Sequence, residues 1–123
     1  MDVKKLNESV EVLKKDLGEG LLACSIFDSK DGQSIIAFNP QPAADALFIR
    51  VTSMIKESLD GAGFPALGKY YIMDLVDNKM SVLVVMGDYQ WGMLFDRTKT
   101  QLGLLLNVAL PKAIDSFEEA ITG

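Results

Sequence analysis

The chain has 123 residues, 49% of them hydrophobic and 24% charged, with a net charge of −5. That length fits a single domain spanning residues 1–123, and the composition supports a packed core and excludes a disordered chain. Seventeen acidic against twelve basic residues exclude a protein whose main work is gripping phosphate backbones, since such affinity rests on clustered Lys and Arg; no nucleic-acid partner is expected.

The first predicted element is an amphipathic helix over residues 2–17. Val3, Leu6, Val10, Leu13 and Leu17 recur at steps of three and four, with Lys and Glu between them. The opening "MDVKKLNESVEVLKK" lacks the apolar stretch of a secretory signal. It also falls short of the roughly 20 apolar residues that a spanning helix needs. No membrane insertion is expected, and a reducing, cytoplasmic setting is the default. Gly18 and Gly20 end the helix.

"LLACSIF", Leu21 to Phe27, is apolar without alternation, as a strand covered on both faces would be. It holds the single cysteine, Cys24, so no internal disulfide can form. In that setting Cys24 reads as a small core residue. "DSKDGQ" then precedes "SIIAF", a hairpin signal built on Asp-Gly. "NPQP" breaks the chain, and Pro42 suits the first turn of a new helix.

From Ala43 to Leu59 the period is helical again. Ala44, Leu47, Phe48, Val51, Met54, Ile55 and Leu59 form one apolar stripe. Ile49 falls away from it, among Asp45, Thr52, Ser53 and Lys56. The loop "DGAGFPALG" follows. Three strands come next, "KYYIMDLV", "KMSVLVVMG" and "QWGMLFD", joined at Asp77-Asn78 and at Gly87-Asp88-Tyr89.

The last helix is predicted from about Lys99 to Ile121. Leu102, Leu105, Leu106, Ala109, Leu110, Ala113 and Phe117 make a wide apolar stripe, with Leu104 and Val108 off its back. Helix one is expected to cover that pair with Val3, Leu6 or Val10. Pro111 has no N–H, so it leaves the Asn107 carbonyl without its helical partner and should bend the helix. The order is helix, two strands, helix, three strands, helix. It predicts an α/β domain of the α+β kind: a five-stranded, mainly antiparallel sheet with helices on both faces.

Chemical motifs are sparse. With no histidine, the commonest general base, the usual Ser and Cys triads and most zinc sites are excluded. Neither a Walker phosphate loop nor a G-x-G-x-x-G turn is present, so no nucleotide cofactor is expected. Asp28 and Asp31 flank one hairpin, Asp74 and Asp77 another. Asp is a preferred turn residue for local hydrogen-bonding reasons, and neither pair continues into a calcium-loop pattern. Tyr70, Tyr71, Tyr89 and Trp91 sit on neighbouring strands, where core packing or a protein interface suits them better than nucleic-acid stacking without a basic groove.

Taken together, "GLLACSIFDSKDGQSIIAF", "FIRVTSMIKESL" and "MSVLVVMGDYQWGMLFD" followed by "QLGLLLNVALPKAI" resemble the roadblock (dynein light chain) family over roughly residues 3–121. The resemblance implies a roadblock-like fold and a homodimer. In it the third strand pairs with its own copy and the middle helices pack together on one face. Carried onto this sequence, the interface would comprise Tyr70, Tyr71, Ile72, Met73, Asp74 and Leu75 at the sheet junction, with Ile49, Ser53 and Lys56 near the helix pair.

The resemblance also implies a non-enzymatic regulator or scaffold in signalling. Its partner would be a small Ras-like GTPase, of the gliding or polarity type in bacteria, whose GTP hydrolysis it could stimulate by positioning the partner's own residues. Arg50 and Arg97, the only arginines, lack sequence support as an inserted arginine finger and read as surface residues. The residues alone leave two other readings open: a small-ligand sensor with a pocket between sheet and helix, and a carboxylate enzyme centred on Asp28 and Asp31.

Overall fold

Asp2 opens the first helix by accepting the Lys5 N–H at 3.2 Å, which satisfies one of the donors that a helix start leaves free. The computed structural model describes residues 1–123. Helix α1 runs Val3–Leu17, and Gly18 ends it in a left-handed conformation, φ +54°, where a side chain would be strained. Strands β1 (Leu21–Asp28) and β2 (Ser34–Phe38) form the first hairpin. Helix α2 spans Pro42–Gly61 with Pro42 in its first turn. Strands β3 (Tyr70–Leu75), β4 (Lys79–Met86) and β5 (Tyr89–Asp96) complete the sheet.

The sheet order is β2-β1-β5-β4-β3, with every neighbouring pair antiparallel. The turns use the residues their geometry demands. Asp77 and Asn78 both take positive φ between β3 and β4, and Gly87 does so between β4 and β5. Asp28 accepts the Lys30 N–H at 2.8 Å and Asp31 the Gln33 N–H at 2.9 Å. The hairpin carboxylates therefore close their own turn.

Side chains of successive residues alternate between the faces. Cys24, Ile26, Val82, Val84, Trp91, Met93 and Phe95 form the main core with α1 and the C-terminal helix. Trp91 is fully buried and meets Phe117 edge-on, with centroids 5.6 Å apart and planes at 66°. Cys24 is buried here, and burial raises its thiol pKa. The other face holds only a small cluster, Phe27, Phe48 and Leu83, beneath α2.

The C-terminal helix, α3, begins at Leu102, later than the sequence predicts; Arg97–Lys99 form a separate 3₁₀ turn. It is α-helical over Leu102–Leu104, π-helical over Leu105–Ala109 and α-helical over Leu110–Thr122. Within the π segment the Leu110 N–H donates to the Leu105 carbonyl. The irregularity lies just before Pro111, which has no N–H to give the hydrogen-bond ladder. Its consequence for packing is a correction. The extra residue in the turn changes the stripe's phase by about 100°. Leu105, Ala109, Leu110, Ala113 and Phe117 stay in the core, but Leu102 is 48% exposed.

Helix α1 does not cover Leu104 and Val108, which are 38% and 47% exposed. Its Leu6 and Val10 go into the main core, and Val3 points to solvent.

Gly92 sets how closely α2 approaches the sheet. A Cβ there would lie 2.7 Å from the Phe48 ring, inside contact distance. Gly92→Ala should therefore lower unfolding free energy by about 1–3 kcal/mol, the usual cost of overpacking. Denaturant unfolding checks this, and trimming the ring with Phe48→Leu in the same chain should recover part of the loss.

Candidate functional site

Helix α2 meets the sheet with polar residues. Asp45, Phe48 and Thr52 are its buried positions, one per turn of the helix. Ser25 Oγ on β1 donates to Asp45 Oδ2 at 3.2 Å, and Ser34 lies 3.3 Å from Ser25. Thr52 Oγ1 donates to Gln90 Oε1 at 3.1 Å, so the Tyr71 hydroxyl, 2.8 Å away, is the donor to Thr52. Gln90 Nε2 then donates to Ser29 Oγ at 3.1 Å. This directed row ties α2 to β5, to β3 and to the first hairpin turn. Burial raises the pKa of both the Asp45 carboxyl and the Tyr71 phenol. Ser25, by hydrogen-bonding the carboxylate, partly offsets this at Asp45.

With polar residues turned inward, the apolar stripe of α2 is left outside. Leu47 is 51% and Met54 64% exposed, and Val51 and Ile55 are half-buried. Beside this flank lies an open cavity of about 300 Å³, bordered by Leu47, Phe48, Val51, Met73, Leu75 and Leu94.

Strand β3 ends the sheet on this side. Its free edge can be read residue by residue. The Val85 N–H donates to the Lys69 carbonyl at 2.9 Å, and the β3–β4 register places those two residues opposite one another. In an antiparallel ladder bonded pairs alternate with non-bonded ones. Tyr71, Met73 and Leu75 therefore turn their backbone groups to β4. Tyr70, Ile72 and Asp74 turn theirs to solvent. The side chains of Tyr71 and Met73 pack toward α2. The other edge strand, β2, is shorter, and its pairing with β1 is irregular at Ile26 and Phe27, a feature that discourages edge pairing.

The residues expected at an interface divide into two groups. Tyr70 to Leu75 lie along the free edge. Ile49, Ser53 and Lys56 occupy the opposite flank of α2. Ile49 is half-buried against the small cluster, and its Cδ1 lies 3.5 Å from where a Cβ on Gly32 would stand. The helix face beside β3 is instead Leu47, Val51, Met54 and Ile55. Its signal was the stripe itself, paired with Asp45 and Thr52 seven positions apart on the face that meets the sheet.

Other candidates resolve simply. Arg50 is exposed, and Arg97 is an exposed donor to Asp74 at 2.7 Å. Tyr70 and Tyr71 point to opposite faces and Trp91 lies in the core, so the aromatics make no common platform. No helix is long and apolar enough to cross a membrane.

Solved structures with the same architecture are found at low sequence identity. Myxococcus xanthus MglB superposes with a TM-score of 0.82 at 16% identity, over 99% of this chain and 91% of that one. The gliding protein MglB from Thermus thermophilus gives 0.72 at 15%, over 94% and 90%. A Roadblock/LC7 domain from Streptomyces avermitilis gives 0.64 at 11%, over 92% and 94%. No protein-family model matches the sequence, and no curated protein does. The fold is thus roadblock-like, as the sequence patterns imply.

The buried carboxyl has a testable sign. Folding raises the Asp45 pKa above its ordinary 3.8, so the folded state holds this proton more tightly than the unfolded one. That contribution to stability is full below the ordinary pKa and is lost as pH rises through the raised one. Asp45→Asn should melt higher than the parent at about pH 7. The gap should close as pH falls below the carboxylate range, a trend that melting curves across pH would register.

Proposed function

We propose that the protein is a non-enzymatic, homodimeric regulator or scaffold that binds a small Ras-like GTPase in the cytoplasm. The observation that carries this reading is the coincidence of two unsatisfied surfaces on one side of the molecule. One is the apolar flank of α2 at Leu47, Val51 and Met54. The other is the free edge of β3. Exposed apolar patches and bare strand edges are both liabilities unless a partner covers them, and a twofold copy covers the same patch on each subunit. The roadblock-like fold supports the choice of partner, because family members of this architecture act as platforms for such GTPases. The hairpin carboxylates support a non-enzymatic role, since Asp28 and Asp31 are occupied with backbone N–H groups.

A second reading rests on the cavity beside α2, whose apolar wall and single buried carboxylate would suit a small ligand. Thermal-shift measurements on Met54→Asp, a change outside the cavity lining, distinguish the two. A metabolite that stabilises that variant favours the ligand; none doing so favours a subunit contact.

Sedimentation at micromolar concentration should show a dimer. The double change Leu47→Asp with Met54→Asp should give monomers, with dissociation strengthened at least tenfold. The monomer should remain folded, since both side chains are exposed. Tagged protein should capture a small GTPase from its source cells more strongly with one of GTP or GDP than with the other. A monomeric wild type would refute the dimer, and equal, empty captures would refute the GTPase partner.

A further inference from the structure

We infer that the cavity beside α2 binds a small primary ammonium with an apolar body, and that the free oxygen of Asp45 holds its charged end. The inference rests on the ligand reading of that cavity and names the class of ligand.

Asp45 lines the cavity and is 7% exposed. Its Oδ2 accepts the Ser25 hydroxyl at 3.2 Å. A serine has a single proton to give, so the Ser34 hydroxyl, 3.3 Å away, donates to Ser25. Both hydroxyls thus point one way, toward a carboxylate that accepts, and bonds of that sense favour the ionised form. No donor of the chain reaches Oδ1. Yet the fully enclosed side-chain polar atom that lacks a partner is Trp91 Nε1, in the main core. Oδ1 therefore keeps access to open space, and the open space beside Asp45 is the cavity.

The rest of the wall offers no competing charge. Ser81 Oγ donates to the Met93 carbonyl at 3.0 Å, and Asn39 Nδ2 donates to the Leu22 carbonyl at 2.9 Å. No lysine or arginine lines the cavity, and Asp45 takes part in no ion pair. A buried carboxylate without a cation is costly. An asparagine at this position would accept from Ser25 equally well and avoid that cost. The charge is thus more than the seat of α2 requires. A cation from outside supplies what the chain lacks, and its N–H would make a charge-assisted hydrogen bond to Oδ1.

The rest of the ligand is set by shape and apolarity. Leu47, Phe48, Val51, Met73, Leu75 and Leu94 enclose a volume of about 300 Å³. An apolar cavity of roughly 150 Å³ holds benzene, so this one accommodates an aromatic ring on a short carbon arm that ends at Asp45. A carboxylate of the same shape would bring a second negative charge to Asp45. An alcohol would form the hydrogen bond without the charge.

Those differences define the test. Melting curves are recorded for the full chain carrying Met54→Asp, which leaves the cavity lining intact. The probes are phenethylamine, 2-phenylethanol, phenylacetate and ethylamine. Phenethylamine should raise Tm, at concentrations about tenfold or more below those 2-phenylethanol needs, the margin of one charged hydrogen bond. Phenylacetate, with the opposing charge, and ethylamine, with no apolar body, should leave Tm unchanged. Adding Asp45→Asn should abolish the preference for the amine over the alcohol while preserving the circular dichroism of the fold.

A preference that survives Asp45→Asn would overturn the role of Asp45. An equal shift with ethylamine would show that charge alone is being read, and would also overturn the inference. Stabilisation by the alcohol or the acid in preference to the amine would overturn the ammonium class and leave the ligand reading standing. No shift with any of the four would overturn the inference, and the metabolite measurements on Met54→Asp then decide the ligand reading separately.

Discussion

The seat of α2 on the sheet constrains everything else on that face. Phe48 lies on Gly92, and Asp45 and Thr52 hydrogen-bond to Ser25 and Gln90 on either side of it. Apolar packing is tolerant of rotation; hydrogen bonds at both ends of a helix segment are not, because each broken one strands a buried polar group at about 1–3 kcal/mol. The helix is therefore held at one rotation about its axis. That rotation presents Leu47, Val51 and Met54 outward. The exposed stripe is a consequence of the polar seat.

Sheet coverage follows from the same seat. By bonding to β1 and β5, α2 leaves the α2-side face of β3 partly bare, and the cavity occupies the gap. Tyr71 reaches across to Thr52 and fixes β3 against the helix from one side only. The opposite face has no such deficit. There α1 and α3 supply a continuous core around Trp91 and Phe117. The α2 half carries apolar surface in excess of what its own sheet can cover, while on the other half the core is closed and Leu102, Leu104 and Val108 of α3 stay exposed outside it.

Much of this was legible in the sequence, and the reasons differ by element. Strands β1 and β4 announced themselves as unbroken apolar runs because both their faces are covered. The hairpins were legible because Asp-Gly, Asp77-Asn78 and Gly87 are the residues that tolerate left-handed backbone. The orientation of α2 was not legible. Periodicity identifies an apolar face; it says nothing about whether that face is covered by the chain's own sheet or left outside. The residues that do meet the sheet, Asp45 and Thr52, read as a solvent face by composition and gained their meaning from partners on other elements, Ser25 and Gln90. Ile49, grouped with them on the helical wheel, is half-buried against the small cluster. On α3 the wheel failed at Leu102 because it assumes a constant residue count per turn. Pro111 was visible, but the π segment before it, with its phase shift, was not.

The two open surfaces beside β3 are also not independent. Any axis that pairs β3 with itself is normal to the sheet, and that alone fixes both α2 helices in one layer with opposite directions. The flank then brought toward the axis is the one adjoining β3, which carries Leu47 and Val51, and the flank carried away holds Ile49, Ser53 and Lys56. Strand pairing supplies directional bonds that set register but little apolar burial. Helix contact supplies apolar burial but little register. Each surface alone would give a weak or poorly specified association. A single symmetry operation that satisfies both requires the polar seat of α2, since rotating the helix to bury its stripe on its own sheet would remove the apolar half of the contact and leave the strand edge without it.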